Sequence, residues 1–194
     1  MLKIAIFGKM RSGKDTVGKI LIDEHGFKKF ALGDGIGEII VKYFPEAWAD
    51  GKPRRHYQHI GQELRKLNPD VWVNYLLGRI KHHEHKVIAE GLCEKNKPKG
   101  KFNVVVTDGR QLNELERLRK EGFIIIKVTA PEELRLQRIL ESGDVFNPEV
   151  LHHETELQVD EVNPDIEIIN DGTLEELKDK VQKMLQGGVS NGNN

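Results

Sequence analysis

Nine residues near the start of the chain carry the first chemical signal: Gly8-Lys9-Met10-Arg11-Ser12-Gly13-Lys14-Asp15-Thr16. Gly8, four intervening residues and Gly13-Lys14 have the spacing of a loop that wraps phosphate oxygens, because glycine lets backbone N–H groups approach with no Cβ in the way. Lys14 then reaches the outer phosphates as a point charge, with Arg11 and Ser12 inside the cradle. A helix starting here adds its N-terminal dipole and free N–H groups to the same anion. Ser or Thr usually follows the lysine as a Mg²⁺ ligand. Here Asp15 takes that place, and the hydroxyl of Thr16 is left for a phosphate or for the metal's water shell.

Further residues extend this chemistry. The apolar run Val104-Val105-Val106 leads to Asp108, a carboxylate at the end of a buried strand, where it faces the Mg²⁺ of a neighbouring phosphate loop. Arg110 follows at the same rim. Arg135 and Arg138, three apart, share a helical face and could neutralise charge developing in phosphoryl transfer; ordinary surface arginines are the plainer reading. Gln58, Gln62 and Arg65 form a helical stripe of two amides and a guanidinium, able to read a base and hold a phosphate, or else a solvated polar face. Asp34 opens a helix, as a cap or as a substrate ligand.

Such groups need a sheet edge to gather them. Leu2 to Phe7 reads as a buried strand feeding the loop, followed by a helix carrying Val17, Ile20 and Leu21 and stopped at Gly26. Phe27 to Ala31 reads as a second strand, and a helix from Asp34 carries Ile36, Ile39, Ile40 and Phe44. After a loop from Pro45 to Pro53, Tyr57, Ile60, Leu64 and Leu67 mark one face of a helix. Asn68-Pro69 starts another, which buries Val73, Leu76, Leu77 and Ile80. The run Lys81 to Lys86 holds three histidines and reads as a charged helix end rather than a metal site. Glu94 to Lys101 reads as a basic surface insertion; it approaches a guanine-reading pattern, but Lys99 stands where that pattern needs Asp. Beyond Asp108 come a helix with Leu112, Leu115 and Leu118, a strand from Phe123 to Val128, and a helix from Pro131 with Leu136, Ile139 and Leu140 inward. A polar flap from Ser142 to Asn163 contains His152 to Glu156. Then follow a strand from Asp165 to Ile169, the turn Asn170-Asp171-Gly172, and a helix capped by Thr173 and Glu176. Five strands alternating with helices specify an α/β fold with a parallel sheet covered on both faces and ligands at its carboxyl edge.

The 194 residues fit a single domain, expected over 1–186, with a helical lobe at about 34–100, a lid at about 135–163 and a disordered tail at 187–194. Thirty basic against 31 acidic residues leave a formal charge of -1, which offers no global field for nucleic acid or an acidic membrane surface. One cysteine, Cys93, excludes an internal disulfide framework and fits a reducing cytoplasm. No apolar run approaches the ~20 residues of a membrane span. The expectation is a soluble, cytoplasmic protein whose partner is a small molecule.

Four segments, GKMRSGKDT, YQHIGQELRKLNPDVWV, VVVTDGRQLNELERLRKEG and NDGTLEEL, together resemble the deoxynucleoside monophosphate kinases of phages and bacteria, relatives of the P-loop nucleoside monophosphate kinases. The resemblance spans most of the chain except the insertion at Glu94 to Lys101. It implies the P-loop NTPase three-layer fold with strand order 2-3-1-4-5, an acceptor-binding lobe and a lid, and ATP with Mg²⁺ as cofactors. Carried over by position, Gly8 to Thr16 with Lys14 hold the ATP phosphates, and Asp15, Thr16 and Asp108 organise the metal. Arg65 and Arg110 hold the acceptor phosphate, Gln58, Gln62 and Trp72 shape its pocket, and Arg135 and Arg138 act on the transferring group from the lid side. Animal phosphomevalonate kinases resemble the same GKD loop, so phosphomevalonate and dephospho-coenzyme A stay open as acceptors. A nucleotide-dependent switch, a non-catalytic nucleotide-binding protein, and a monomer or a homodimer also stay open.

Overall fold

A computed structural model describes residues 1–49, 51–93, 102–109, 111–141 and 158–187. They divide into two compact units, one of Phe30–Phe102 with Met1, the other of Leu2–Lys29 with Asn103–Asn194. Among the described residues, no helix is long and apolar enough to cross a membrane.

The sheet has five parallel strands, β1 (Lys3–Phe7), β2 (Lys28–Phe30), β3 (Val104–Gly109), β4 (Ile124–Thr129) and β5 (Ile166–Ile169), in the order β2-β3-β1-β4-β5. Strands buried on both faces read as continuous apolar runs, and β1 shows this: Ile4, Ala5, Ile6 and Phe7 have no exposed surface. Ile4, Ile6, Val105, Ile126, Val128 and Ile168 join one core with Val17, Ile20 and Leu21 of α1 (Lys14–Asp23) and with Leu177, Val181 and Met184 of α7 (Leu174–Gly187). The alternate residues, Ala5, Val104, Val106 and Ile125, are as deeply buried on the opposite face, the side of α5 (Leu112–Lys120) and α6 (Glu132–Glu141). Each fully buried Ile or Leu contributes roughly 1.5–3 kcal/mol relative to exposure.

The β1–β3 ladder runs Lys3↔Val104, Ile4↔Val105, Ala5↔Val106, then shifts so that Phe7 pairs with Gly109. The extra residue is a bulge at the carboxyl edge. Gly109 is required there, because a Cβ would lie 2.6 Å from the Phe7 ring.

Two helical faces depart from the sequence pattern. In α6 the inward residues are Arg135 and Ile139, with Arg138 half-buried, whereas Leu140 is 73% exposed. Ile139 of the expected face is buried and Leu136 half-buried, but Leu140 points outward and Arg135 takes a buried place beside Ile139. In α7 Leu174, at helical spacing with the buried Leu177 and Val181, is exposed beside the capping box: Thr173 N–H donates to Glu176 Oε2 at 2.7 Å and Glu176 N–H to Thr173 Oγ1 at 3.3 Å.

The other unit contains α2 (Asp34–Tyr43), a 3-10 turn (Pro45–Trp48), α3 (Arg54–Leu67) and α4 (Val71–Cys93). In α3 the expected apolar face is only half-covered and Leu67 is exposed, because the helix packs through Gly61, its one buried residue. The missing side chain admits Ile36 Cδ1 and leaves Gly61 O to accept the Trp72 indole N–H at 3.1 Å. α4 does not end at the histidines, as its sequence implied; it runs through them to Cys93. His83 packs edge-on to Phe30 and Phe102, at 5.9 and 4.8 Å between ring centroids, so one of the three histidines serves as an aromatic spacer. The insertion at 94–101, the run His152 to Glu156 and the expected tail beyond Gly187 lie outside the described residues.

Candidate functional site

β1 ends at Phe7 and the chain turns at once through Gly8 into the loop. Gly8 must be glycine, because a Cβ would meet Ser12 Oγ at 2.6 Å and Val128 O at 2.7 Å. Ser12 N–H donates to Lys9 O at 3.1 Å and closes a tight turn, with Arg11 in the left-handed region at φ 59 and Gly13 at φ 98. A non-glycine residue in that region carries backbone strain of order 1–3 kcal/mol, held by its surroundings. The hold is visible: Arg138 Nη1 donates to Arg11 O at 3.2 Å, Arg138 Nη2 to Asn170 O at 3.3 Å, and Asn170 Nδ2 to Ser12 O at 2.9 Å.

α1 follows with Gly13 as N-cap and no side-chain cap. Its first N–H groups therefore point at the loop's contents with no hydroxyl or carboxylate claiming them. Lys14 is 8% exposed, with Nζ 3.5 Å from Oδ2 of the exposed Asp15. Thr16 is half-buried, and Ser12 Oγ is fully buried without a hydrogen-bond partner among the described residues. Asp108 and Gly109 end β3 at the same edge as Gly8, because Phe7 pairs with Gly109. The chain then enters α5 through a capping box in which Gln111 N–H donates to Glu114 Oε2 at 3.1 Å, so the buried Glu114 is structural. Arg110 lies outside the described residues.

Ser12 and Arg135 meet in one cavity of about 220 Å³ at the carboxyl end of β4, lined also by Lys9, Lys127, Thr129 and Asp160. Lys9 Nζ bonds Asp160 Oδ2 at 2.7 Å and Lys127 Nζ bonds Asp160 O at 3.1 Å, fastening the last part of the expected lid to the loop and to β4. Of the two arginines, Arg135 lines this cavity while Arg138 braces the loop backbone.

In the helical unit Asp34 does not act as a helix N-cap. Its Oδ2 accepts from Ala31 N–H at 3.2 Å and pairs with Arg79 Nη1 at 3.0 Å, which also lies 3.4 Å from Glu38 Oε1. Tyr75 donates its hydroxyl to Glu38. Burial first, then Glu38 beside it, pushes the Tyr75 hydroxyl pKa up to about 12. Gln58 and Gln62 are exposed along α3, Arg65 is half-buried near Gly61, and Trp72 is buried with its N–H on Gly61 O. The sequence pattern missed Arg79 and Asn170. Arg79 is 45 positions from Asp34, with no local signal joining them. For Asn170, an amide closing a strand at the edge of the phosphate loop was signal enough, but it read as the start of a turn.

The residues present suit a polyphosphate and a hard cation. An uncapped helix start, a buried lysine and left-handed glycine provide anion donors, and Asp15, Thr16 and Asp108 are oxygen ligands of the kind Mg²⁺ prefers.

Fold and loop together define a P-loop kinase-like domain. The chain belongs to the AAA domain family, whose model matches residues 4–149. A UPF0200 protein of Sulfurisphaera tokodaii is 30% identical over 194 residues, covering 94% of this chain and 95% of its own. A protein of Acanthamoeba polyphaga mimivirus, provisionally named a deoxynucleotide monophosphate kinase, is 24% identical over 199 residues, covering 93% of this chain and 94% of its own. Among solved structures, a shikimate kinase of Aquifex aeolicus superposes with a TM-score of 0.54 at 16% identity, over 98% of this chain and 100% of that one, a likeness of fold.

Proposed function

We propose that this chain transfers a phosphoryl group from Mg²⁺-ATP to the phosphate of a (deoxy)nucleoside monophosphate, giving the diphosphate. The observation that carries the reading is the loop from Gly8 to Thr16, with Lys14 buried at the uncapped start of α1 and Asp108 closing the adjacent strand. The mimivirus relative's name and the motif resemblance support the nucleotide acceptor. Bound Mg²⁺ would neutralise phosphate charge and hold the donor in line for transfer.

The chain's own residues supply alignment and charge. Loop amides and Lys14 bind donor phosphates, with Asp15, Thr16 and Asp108 holding the metal. Arg135 and Arg110 counter charge near the transferring group, and Arg138 keeps the loop in its binding form. In the helical unit, Arg65 with Gln58, Gln62, Trp72 and Asp34 receives the acceptor. An acceptor phosphate is already anionic, so no general base is required, and catalysis rests on proximity and electrostatic preorganisation. The product would be a small-molecule diphosphate, with no nucleic acid or membrane involved, and the enzyme a cytoplasmic monomer or homodimer.

ADP release from Mg²⁺-ATP is measured with each deoxynucleoside monophosphate, with phosphomevalonate, with dephospho-coenzyme A and with no acceptor. Stimulation by one or more deoxynucleotides is expected, abolished in Lys14→Ala and shifted to higher acceptor KM in Arg65→Ala. Stimulation only by another acceptor would replace the substrate class. Slow release that no acceptor stimulates would make the chain a nucleotide switch.

A further inference from the structure

The outer side of the phosphate loop is held by an amide that the proposed reaction does not use. Asn170 directly follows β5 and is 6% exposed. Its backbone N–H donates to Thr129 O at 2.7 Å, which fixes it to β4. Its Nδ2 donates to Ser12 O at 2.9 Å, and its carbonyl accepts from Arg138, whose other nitrogen holds Arg11 O. The amide occupies the space where Gly13 would carry a Cβ, so glycine at φ 98 and the asparagine fit one another.

We infer that Asn170 is a positioning residue for phosphate binding: by holding Ser12 O it sets the Ser12–Gly13 peptide and aims the Gly13 N–H into the cradle. In a trans peptide the C=O and N–H point in opposite directions, so a donor that draws Ser12 O toward β5 turns the Gly13 N–H away from β5. Ser12 N–H is already committed to Lys9 O. Gly13 N–H donates to no described residue and is the amide whose direction decides whether the loop meets an anion prepared or must reorganise. Preorganised donors act without reorganisation at the moment of binding, which is the advantage a fixed peptide gives. The inference rests on the proposed reading that this loop binds phosphate.

Two substitutions isolate the donor. Asn170→Asp keeps the size and sets an oxygen against Ser12 O; Asn170→Ala removes the group. Lys180→Ala is the control, since Lys180 Nζ holds Ile169 O at 2.7 Å and Asp171 Oδ1 at 2.8 Å in the same turn without touching the loop. The full chain is examined by amide NMR without ligand, and by calorimetry with tripolyphosphate and with Mg²⁺-ATP. Both Asn170 variants are expected to shift the Gly13 amide resonance and to weaken tripolyphosphate and Mg²⁺-ATP alike by about tenfold or more, the effect of one unmade buried hydrogen bond. Lys180→Ala is expected to leave both affinities within about twofold, as for an exposed ion pair. Equal binding by wild type and folded Asn170 variants would overturn the inference. So would a loss confined to Mg²⁺-ATP, which would mean contact with the nucleoside, or an equal loss in Lys180→Ala, which would mean general loosening of the turn. Wild-type protein that binds neither probe would end the phosphate-binding reading itself, a failure distinct from the others.

Discussion

Gly18 lies one turn beyond Lys14, where α1 crosses β3, and Gly18→Ala tests whether that crossing fixes the phosphate loop's helix. A Cβ there would lie 2.7 Å from Thr107 Cγ2 and 3.5 Å from Thr107 Cβ. Carbon atoms prefer about 3.5–4.0 Å, so roughly 1 Å must open. Thr107 is 5% exposed in β3, and α1 has its other side in the core with α7, so neither partner has free space to retreat into. Overpacking of this kind costs about 1–3 kcal/mol. Against it stands the helix propensity of alanine over glycine, about 1 kcal/mol. The net expectation is a loss of ~0–2 kcal/mol, or up to ~8 °C in Tm for a chain of this size. Thr107→Ser removes the offending methyl at a cost of about 1 kcal/mol. In that background Gly18→Ala should turn neutral or stabilise by up to ~1 kcal/mol through propensity alone. Urea unfolding of the four proteins closes the cycle. If Gly18→Ala costs the same with Thr107 and with Ser at that position, the helix is not seated against that methyl and the reasoning fails.

Other expectations concern the helical unit and α6. Tyr75 should titrate near pH 12 in the native protein, read from tyrosinate absorbance at high pH, and Glu38→Gln should lower that midpoint. Because its folded pKa is raised above the ordinary tyrosine value of 10.0, the stability it contributes is complete below about pH 10 and is lost as pH rises through about 12. A midpoint unchanged in Glu38→Gln would remove Glu38 as a cause. Trp72→Phe removes the second donor from the Gly61 carbonyl, which keeps its bond within α3, and should cost about 0.5–1.5 kcal/mol in thermal unfolding; no measurable cost would show that the indole bond adds nothing to stability. On α6, Leu140→Lys should stay within about 0.5 kcal/mol of wild type, whereas Ile139→Ala should lose about 2–5 kcal/mol. A loss at Leu140→Lys as large as that at Ile139→Ala would put Leu140 back on the inner face.

Much of the fold was readable because its determinants are local. Apolar runs marked β1, β3 and β4, the glycine spacing marked the loop, and Thr173 with Glu176 marked the last helix start. Periodicity misled where a functional surface competes with a hydrophobic one. On α6 the pattern placed Ile139 correctly, but Leu140 is exposed while Arg135 is buried and Arg138 half-buried where the helix lies beside the loop. On α3 the contact runs through Gly61, and a glycine carries no hydrophobic signal. The His83 packing between Phe30 and Phe102, the Asp34–Arg79 pair and the Asn170 brace join distant positions, and a period of two or 3.6 carries no information about them. The roles proposed for the loop residues come from residue type; which side chains hold the loop in shape came only from the coordinates.

The sheet order has a consequence for how the chain is made. Of the five strands β1 is synthesised first, yet it lies between β3 and β4, and just before its ladder Leu2 N–H donates to Asn103 Oδ1, 101 positions away. At about 5–20 residues per second, a translating ribosome needs roughly 6–25 s to pass from β1 to the middle of β4. Until β3 is made, a strand that is apolar from Ile4 to Phe7 has both hydrogen-bonding edges open, and one edge stays open until β4 follows, a state prone to pairing with a neighbour's strand. The continuous unit Phe30–Phe102, built of helices with short-range contacts, is complete in sequence before either partner strand of β1 emerges. Nascent chains of this protein therefore expose their most aggregation-prone strand longest, and slowing translation after Phe102 should raise their demand for chaperones.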